Sequence, residues 1–221
     1  YHSIIDGITR GDAIGGPTAL AEIVAESLIA NGGINVTDIT HRYLEWWRSG
    51  SFDTGPTYDL VFKYIDEGIE PAAAVEAAHS ALGGNSAGCG PTHRNCVIAA
   101  CSYILTDDLP SAARAEALIT HLDPIAGDTA AVVALLCRGL LDGLTWDAAK
   151  DFVAGHTQTR DVFSMIMARP LNPSGFAPDA ARAAIHFMDG DDALSEASSF
   201  AGVSNYCPVI VGALLGARST A

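Results

Sequence analysis

The chain has 221 residues, 49% of them hydrophobic, which suits a single domain over residues 1–221 whose core needs no disulfide or structural metal. Against 12 Lys and Arg stand 26 Asp and Glu, a formal net charge of −14. That balance argues against nucleic acid and anionic membranes as partners, since both require clustered basic side chains, and otherwise speaks chiefly to solubility.

Helical periodicity runs through the chain. Thr18–Ala30 places Leu20, Ile23, Val24, Leu28 and Ile29 on one side. Val36–Arg48 opens with Thr37 as a candidate N-cap and turns Tyr43, Leu44 and Trp47 inward, with Trp46-Trp47 read as a core-facing helix face. Further helices are predicted over Tyr58–Glu67, Pro71–Ala81, Cys96–Leu105, Ser111–Leu122, Thr129–Leu141, Thr145–Ala154, Asp179–Met188, Asp192–Ala201 and Pro208–Leu215. Runs of alternating β-branched residues are absent, so the expected fold is all-α, a compact orthogonal multi-helix bundle. The longest apolar runs, Ala130–Cys137 and Cys207–Leu215, fall short of the ~20 residues of a membrane span. The opening Tyr1–Gly16 lacks the pattern of a signal peptide. Cys89, Cys96, Cys101, Cys137 and Cys207 are odd in number and form no CxxC pair, the usage of free thiols in a reducing cytoplasm. No feature of the sequence specifies an oligomeric state.

Between the helices lie glycine-rich or polar breaks at Gly11–Gly16, Gly50–Thr57, Gly83–Gly90, Asp123–Asp128, Pro170–Pro178 and Gly202–Tyr206. Loops on a rigid helical frame are where binding residues usually sit, and six such loops have room to converge on one cleft. Taken in order, they resemble the motifs of the ADP-ribosylglycohydrolase family. Gly11-Asp12-Ala13-Ile14-Gly15-Gly16-Pro17 resembles its GDALGxPxE opening, Gly50-Ser51-Phe52-Asp53-Thr54 its TDDT loop, and Gly84-Asn85-Ser86-Ala87-Gly88-Cys89 its GNGxxMR loop. Thr120-His121 with Asp123-Pro124 resembles its TH-x-DP segment, and Ser174-Gly175-Phe176 its SGY element. Ala201–Tyr206 followed by Val211–Ala217 resembles its glycine- and aspartate-rich ending. The resemblance implies an all-α fold with a cleft between the loops and hydrolysis of a glycosidic bond to an ADP-ribose-like group.

It also implies two divalent ions, Mg²⁺ or Mn²⁺, held by oxygen ligands. Here the sequence departs. The family's glutamate falls on Ala19, its first loop aspartate on Phe52, and its last two aspartates on Val203 and Asn205, with Tyr206 at its final threonine. Ser51 is a tolerable replacement for threonine, and Asp53 alone remains among the carboxylates. The expected cofactor is therefore none, the expected partner a small-molecule ligand, and three functions stay open: a metal-free enzyme acting on a small ribosyl- or nucleoside-like metabolite, a non-catalytic ligand- or partner-binding descendant, and a conventional metal-dependent hydrolase.

The expected catalytic set is Asp53, Ser51, Asn205 and Tyr206, with Asp53 as general acid or base. Its alternative is an N-cap or Asx turn for the helix that follows. The expected substrate-binding set is Gly84, Asn85, Ser86, Gly88, Cys89, His93, Arg94, His121 and Phe176. Gly83–Gly88 reads either as a cradle for a ligand oxygen or as a tight turn. Cys89 and His93 read as a nucleophile and base or as chance neighbours, and Arg94 as an anion ligand or a surface residue. His121 reads chiefly as a loop-orienting group. His2, His41, His79, His156 and His186 show no ligand spacing and read as surface or core residues.

Overall fold

Aliphatic and alanine-rich stretches decide where the chain coils. The computed structural model describes residues 1–202 and 206–219. Its helices are α1 (His2–Gly11), α2 (Gly16–Asn31), α3 (Val36–Arg48), α4 (Pro56–Asp66), α5 (Pro71–Ala81), α6 (Gly90–Arg94) and α7 (Leu109–Ala117). There follow α8 (Pro124–Leu141), α9 (Trp146–Gly155), α10 (Arg160–Met167), α11 (Ala177–Phe187), α12 (Ala193–Ala201) and α13 (Tyr206–Arg218). Among the described residues there is no strand, only an isolated antiparallel bridge between Gly88 and Phe176. The fold is the all-α, multi-helix bundle expected.

Helix α8 is the axis of the core. It is apolar over most of its surface, with Val132, Val133, Leu135, Leu136 and Leu140 at most 1% exposed, and such a helix must be surrounded by protein. Helices α6, α7, α9, α11 and α13 pack around it. Among the described residues α8 is long and apolar enough to cross a membrane by length and composition, but 72% of it is buried inside the protein.

Helices α1 and α13 meet along a seam of glycines. A Cβ on Gly7 would stand 2.1 Å from the Gly212 carbonyl oxygen, and one on Gly216 the same 2.1 Å from that of Ser3. A Cβ on Gly11 would stand 2.1 Å from the Pro208 oxygen. Such separations are open only to a residue without a side chain. The seam is antiparallel, so the end of α1 lies against the start of α13.

Three helices escape the sequence pattern. Helix α1 carries two glycines, poor helix formers in isolation, and is held by its packing on α13. Helix α6 has five residues, too few for periodicity, and α10 has eight with Phe163 and Ile166 buried. The α-helix predicted over Cys96–Leu105 is instead a 3₁₀ segment, Asn95–Ala100, followed by irregular chain. Its carbonyls bond outward: Arg138 of α8 donates to the oxygens of Ala99 (2.7 Å), Cys101 (3.0 Å) and Ile104 (3.2 Å). The side chain takes the place of the helical ladder, a tertiary override of local propensity. The α3 cap is Asn35, accepting from the Asp38 amide, rather than Thr37, and α7 begins at Leu109 rather than Ser111.

Candidate functional site

Five of the six loops place residues around one cleft. The first loop is shaped by Asp12, whose Oδ1 accepts from the amides of Ile14 (3.1 Å) and Gly15 (2.7 Å) and whose Oδ2 accepts from the amide and hydroxyl of Thr18. This carboxylate caps α2 from a distance, an arrangement favoured by both the free amides and the helix dipole. The second loop lies on the same helix start: a Cβ on Gly16 would sit 2.6 Å from the Asp53 carbonyl oxygen and 2.7 Å from the Asp53 Cβ. Asp53 has a φ of 53°, the only non-glycine residue in the left-handed region among those described. Aspartate tolerates that conformation at modest cost. The N-cap of the helix that follows, α4, is Gly55, two residues on.

The third loop is tied to the fifth. The Cys89 amide donates to the Gly175 oxygen (2.8 Å) and the Ala177 amide to the Ala87 oxygen (2.9 Å). Ser86 is buried and bonds His79 Nδ1 at 2.6 Å, while its oxygen accepts from the Asp123 amide at 3.1 Å. His79 is thus a structural histidine. From the third loop α6 carries His93 to Tyr206, where His93 Nε2 lies 2.8 Å from the Tyr206 carbonyl oxygen and donates to it.

The resulting cavity has a volume of about 510 Å³, within the range of small-molecule sites. Asp53, Asn85, Gly88, Cys89, His93, His121 and Tyr206, all expected at the site, line it together. Ile14, Pro17 and Leu20 form an apolar wall, and Thr54, Gly55, Pro56, Thr57, Gly90 and Gly175 complete the lining, none of them a site residue expected from the sequence. Ile14 and Pro17 sit inside the opening motif, so the signal for them was present.

Other expected residues stand elsewhere. Ser51 is half-buried outside the cavity, its amide turned to the Trp47 oxygen. Gly84 closes the turn after α5 with a φ of 80°, and Ser86 is occupied with His79 and Asp123. Phe176 leads into α11, with the Arg169 guanidinium 4.8 Å from its ring centre. Asn205, with Val203 and Ser204, lies outside the described residues. Arg94 is neither an anion ligand at the cleft nor a surface residue. It is 1% exposed and paired with the fully buried Glu116, Nε to Oε1 at 2.6 Å.

Burial keeps one thiol and two imidazoles of the cleft uncharged. Desolvation lowers His93 to about 4 despite its bond to the Tyr206 carbonyl, and raises the Cys89 thiol to about 12. Desolvation, with the Arg94 cation second, holds His121 well below the usual histidine range. A nucleophilic cysteine requires a thiolate, and with His93 bonded to Tyr206 the Cys89–His93 pair has neither the charge state nor the geometry of an activated dyad. Asp53 is the one carboxylate among the described lining residues, and those residues contain no group of three or more His, Cys, Asp or Glu able to hold a metal ion. Phe52, at the position of a family ligand, packs edge-on against Trp46 at 5.8 Å.

The family model for ADP-ribosylglycohydrolase matches residues 7–220. The chain belongs to the ADP-ribosylglycohydrolase family. The solved structure titled ADP-ribosylglycohydrolase-related protein complex is similar to it at 25% identity and a TM-score of 0.69, over 98% of this chain and 86% of that one. No curated protein matches the chain in sequence. Within this ADP-ribosylglycohydrolase fold, the cleft lies where all six family motifs meet.

Proposed function

We propose that the chain is an ADP-ribosylglycohydrolase-like enzyme that binds a small ribosyl- or nucleoside-like metabolite in this cleft and acts without a metal pair, with Asp53 as the proton-transfer group. The observation that carries the reading is the placement of Asp53. Its loop is pressed against the start of α2 in a left-handed conformation, and its residue lines a cavity otherwise walled by apolar and uncharged groups. A carboxylate so placed can give or take a proton at a glycosidic oxygen or at an attacking water. Tyr206 and Asn85 offer hydrogen bonds to sugar hydroxyls, and Ile14, Pro17 and Leu20 a face for an apolar ring edge. Hard divalent ions take six or more oxygen ligands each. One lining carboxylate beside an apolar wall does not fit two of them, and the sequence supplies no other acidic residue after Ala201. The five buried, unpaired cysteines fit the reducing cytoplasm proposed for the chain.

A binding-only role has one observation in its favour: Cys89, His93 and His121 are all held uncharged, which suits recognition more than proton transfer. One experiment separates the readings. ADP-ribose, nucleosides and ribosyl conjugates are titrated calorimetrically and assayed for hydrolysis with chelator present, in wild type and Asp53→Asn. The enzyme reading expects turnover with chelator and a loss on the order of 10² to 10⁴ in rate for Asp53→Asn. Binding without turnover supports the second reading. Turnover that vanishes with chelator and returns with Mg²⁺ refutes the metal-free proposal.

A further inference from the structure

A chain of buried polar groups leads from the core to the cleft. Tyr43 Oη donates to Glu116 Oε1 at 2.7 Å, and Arg94 Nε donates to the same oxygen at 2.6 Å. A terminal nitrogen of Arg94 donates to Thr120 Oγ1 at 2.8 Å, and Thr120 Oγ1 lies 2.7 Å from His121 Nδ1. Glu116 is 0% exposed, Arg94 and Thr120 1%, and His121 5%.

We propose that Glu116, Arg94 and Thr120 are positioning residues that fix His121 as a neutral imidazole with its proton on Nε2, giving the cleft a hydrogen-bond donor for a hydroxyl or carbonyl oxygen of the ligand beside Gly88. The direction of each bond follows from what each group can do. A guanidinium only donates, so Thr120 Oγ1 accepts from Arg94. The Thr120 hydroxyl hydrogen then requires an acceptor, since a buried unpaired donor costs about 1–3 kcal/mol, and His121 Nδ1 is the acceptor within reach. A proton on Nδ1 would instead aim two donors at Thr120 and leave its hydrogen without a partner. With Nδ1 accepting, a neutral ring carries its proton on Nε2. Nε2 lies 3.2 Å from where a Cβ on Gly88 would stand and 3.7 Å from one on Gly90, and all three residues line the cleft. The two glycines leave open the space that the donor faces. His93 carries its proton on the same nitrogen, but that Nε2–H is turned to the Tyr206 carbonyl and is not offered to a ligand. A buried ion pair is often no more stabilising than apolar residues of the same shape, and orienting Thr120 gives this one a use.

The inference deepens the proposed function by adding a donor to the same cleft, and its test needs neither ligand nor turnover. Long-range ¹H–¹⁵N correlation spectra of the imidazole rings are recorded on ¹⁵N-labelled, ligand-free protein at neutral pH. The expected His121 pattern is a protonated Nε2 and an unprotonated Nδ1. Thr120→Val, which keeps the shape and removes the hydroxyl, is expected to lose that single pattern, and Thr120→Ser to retain it. A wild-type His121 that is protonated on Nδ1, or on both nitrogens, overturns the proposal even where Thr120→Val does not fold. An unchanged Nε2–H pattern in folded Thr120→Val also overturns it, by removing the positioning role. Failure of the Asp53 assay leaves these spectra unaffected, so the two conclusions fall separately.

Discussion

Removing the Glu116 carboxylate tests how the interior is balanced. Glu116→Ala leaves the Arg94 guanidinium, 1% exposed, without its counter-ion and Tyr43 Oη without its acceptor. Loss of one partner of a buried pair costs about 3–5 kcal/mol, because the other charge stays desolvated. For a chain of this size that corresponds to a fall of roughly 6–20 °C in melting temperature, at about 2–4 °C per kcal/mol. The measurement is urea unfolding followed by circular dichroism, with thermal melting as a check. A triple replacement, Tyr43→Phe with Arg94→Met and Glu116→Leu, removes all three polar groups together and is expected to recover most of the loss. A cost below about 1 kcal/mol for Glu116→Ala would mean that water reaches the pair, and would refute the reading of a sealed polar chain.

Other consequences are as direct. His93 is lowered to about 4 in the folded protein and returns to about 6.5 on unfolding, so the unfolded chain binds the proton first and stability falls as pH drops from about 6.5 to about 4. The His93 share of that fall is about 3 kcal/mol, and His93→Gln is expected to flatten the unfolding profile over this window by that order. Gly212→Ala puts a methyl group 2.1 Å from the Gly7 carbonyl oxygen, and the helices must part. The expected cost is about 3 kcal/mol or more, read by urea unfolding, and a neutral effect would refute the seam. All five cysteines are buried and Cys89 and Cys207 are both raised to about 12, so a thiol reagent at pH 8 is expected to label the native protein far more slowly than the unfolded one.

Much of this was legible because the fold obeys local rules. The 3.6-residue pattern of Thr18–Ala30 and Val36–Arg48, and Pro71 at a helix start, describe elements whose form is set by their own sequence. What escaped was set by distant residues. Nothing near Cys96 announces that Arg138 will take the carbonyls of that stretch. Nothing near Gly7 shows that its helix exists to meet Gly212. At the cleft, motif order brought out Asp53, Asn85, Cys89, His93, His121 and Tyr206, since loops on one end of a bundle share a mouth. Arg94 was misread because a charged residue beside a loop looks solvent-bound until its partner, 22 residues on in the sequence, is known. Glu116 and Thr120 carried no local signal beyond helix and motif.

The glycine seam also bears on the order in which the protein assembles. Helix pairs such as α4 with α5 and α7 with α8 are neighbours in sequence and close over short loops. Helices α1 and α13 share an interface only after nearly the whole chain has been traversed, and such long closures are slow in folding. On a ribosome, α1 waits with its glycine face uncovered until α13 emerges. The cleft has the same schedule, since Tyr206 and His93 meet at the start of α13. A ligand-competent protein is thus a product of the last docking event, and nascent chains lacking α13 are expected to hold a compact core without a binding site.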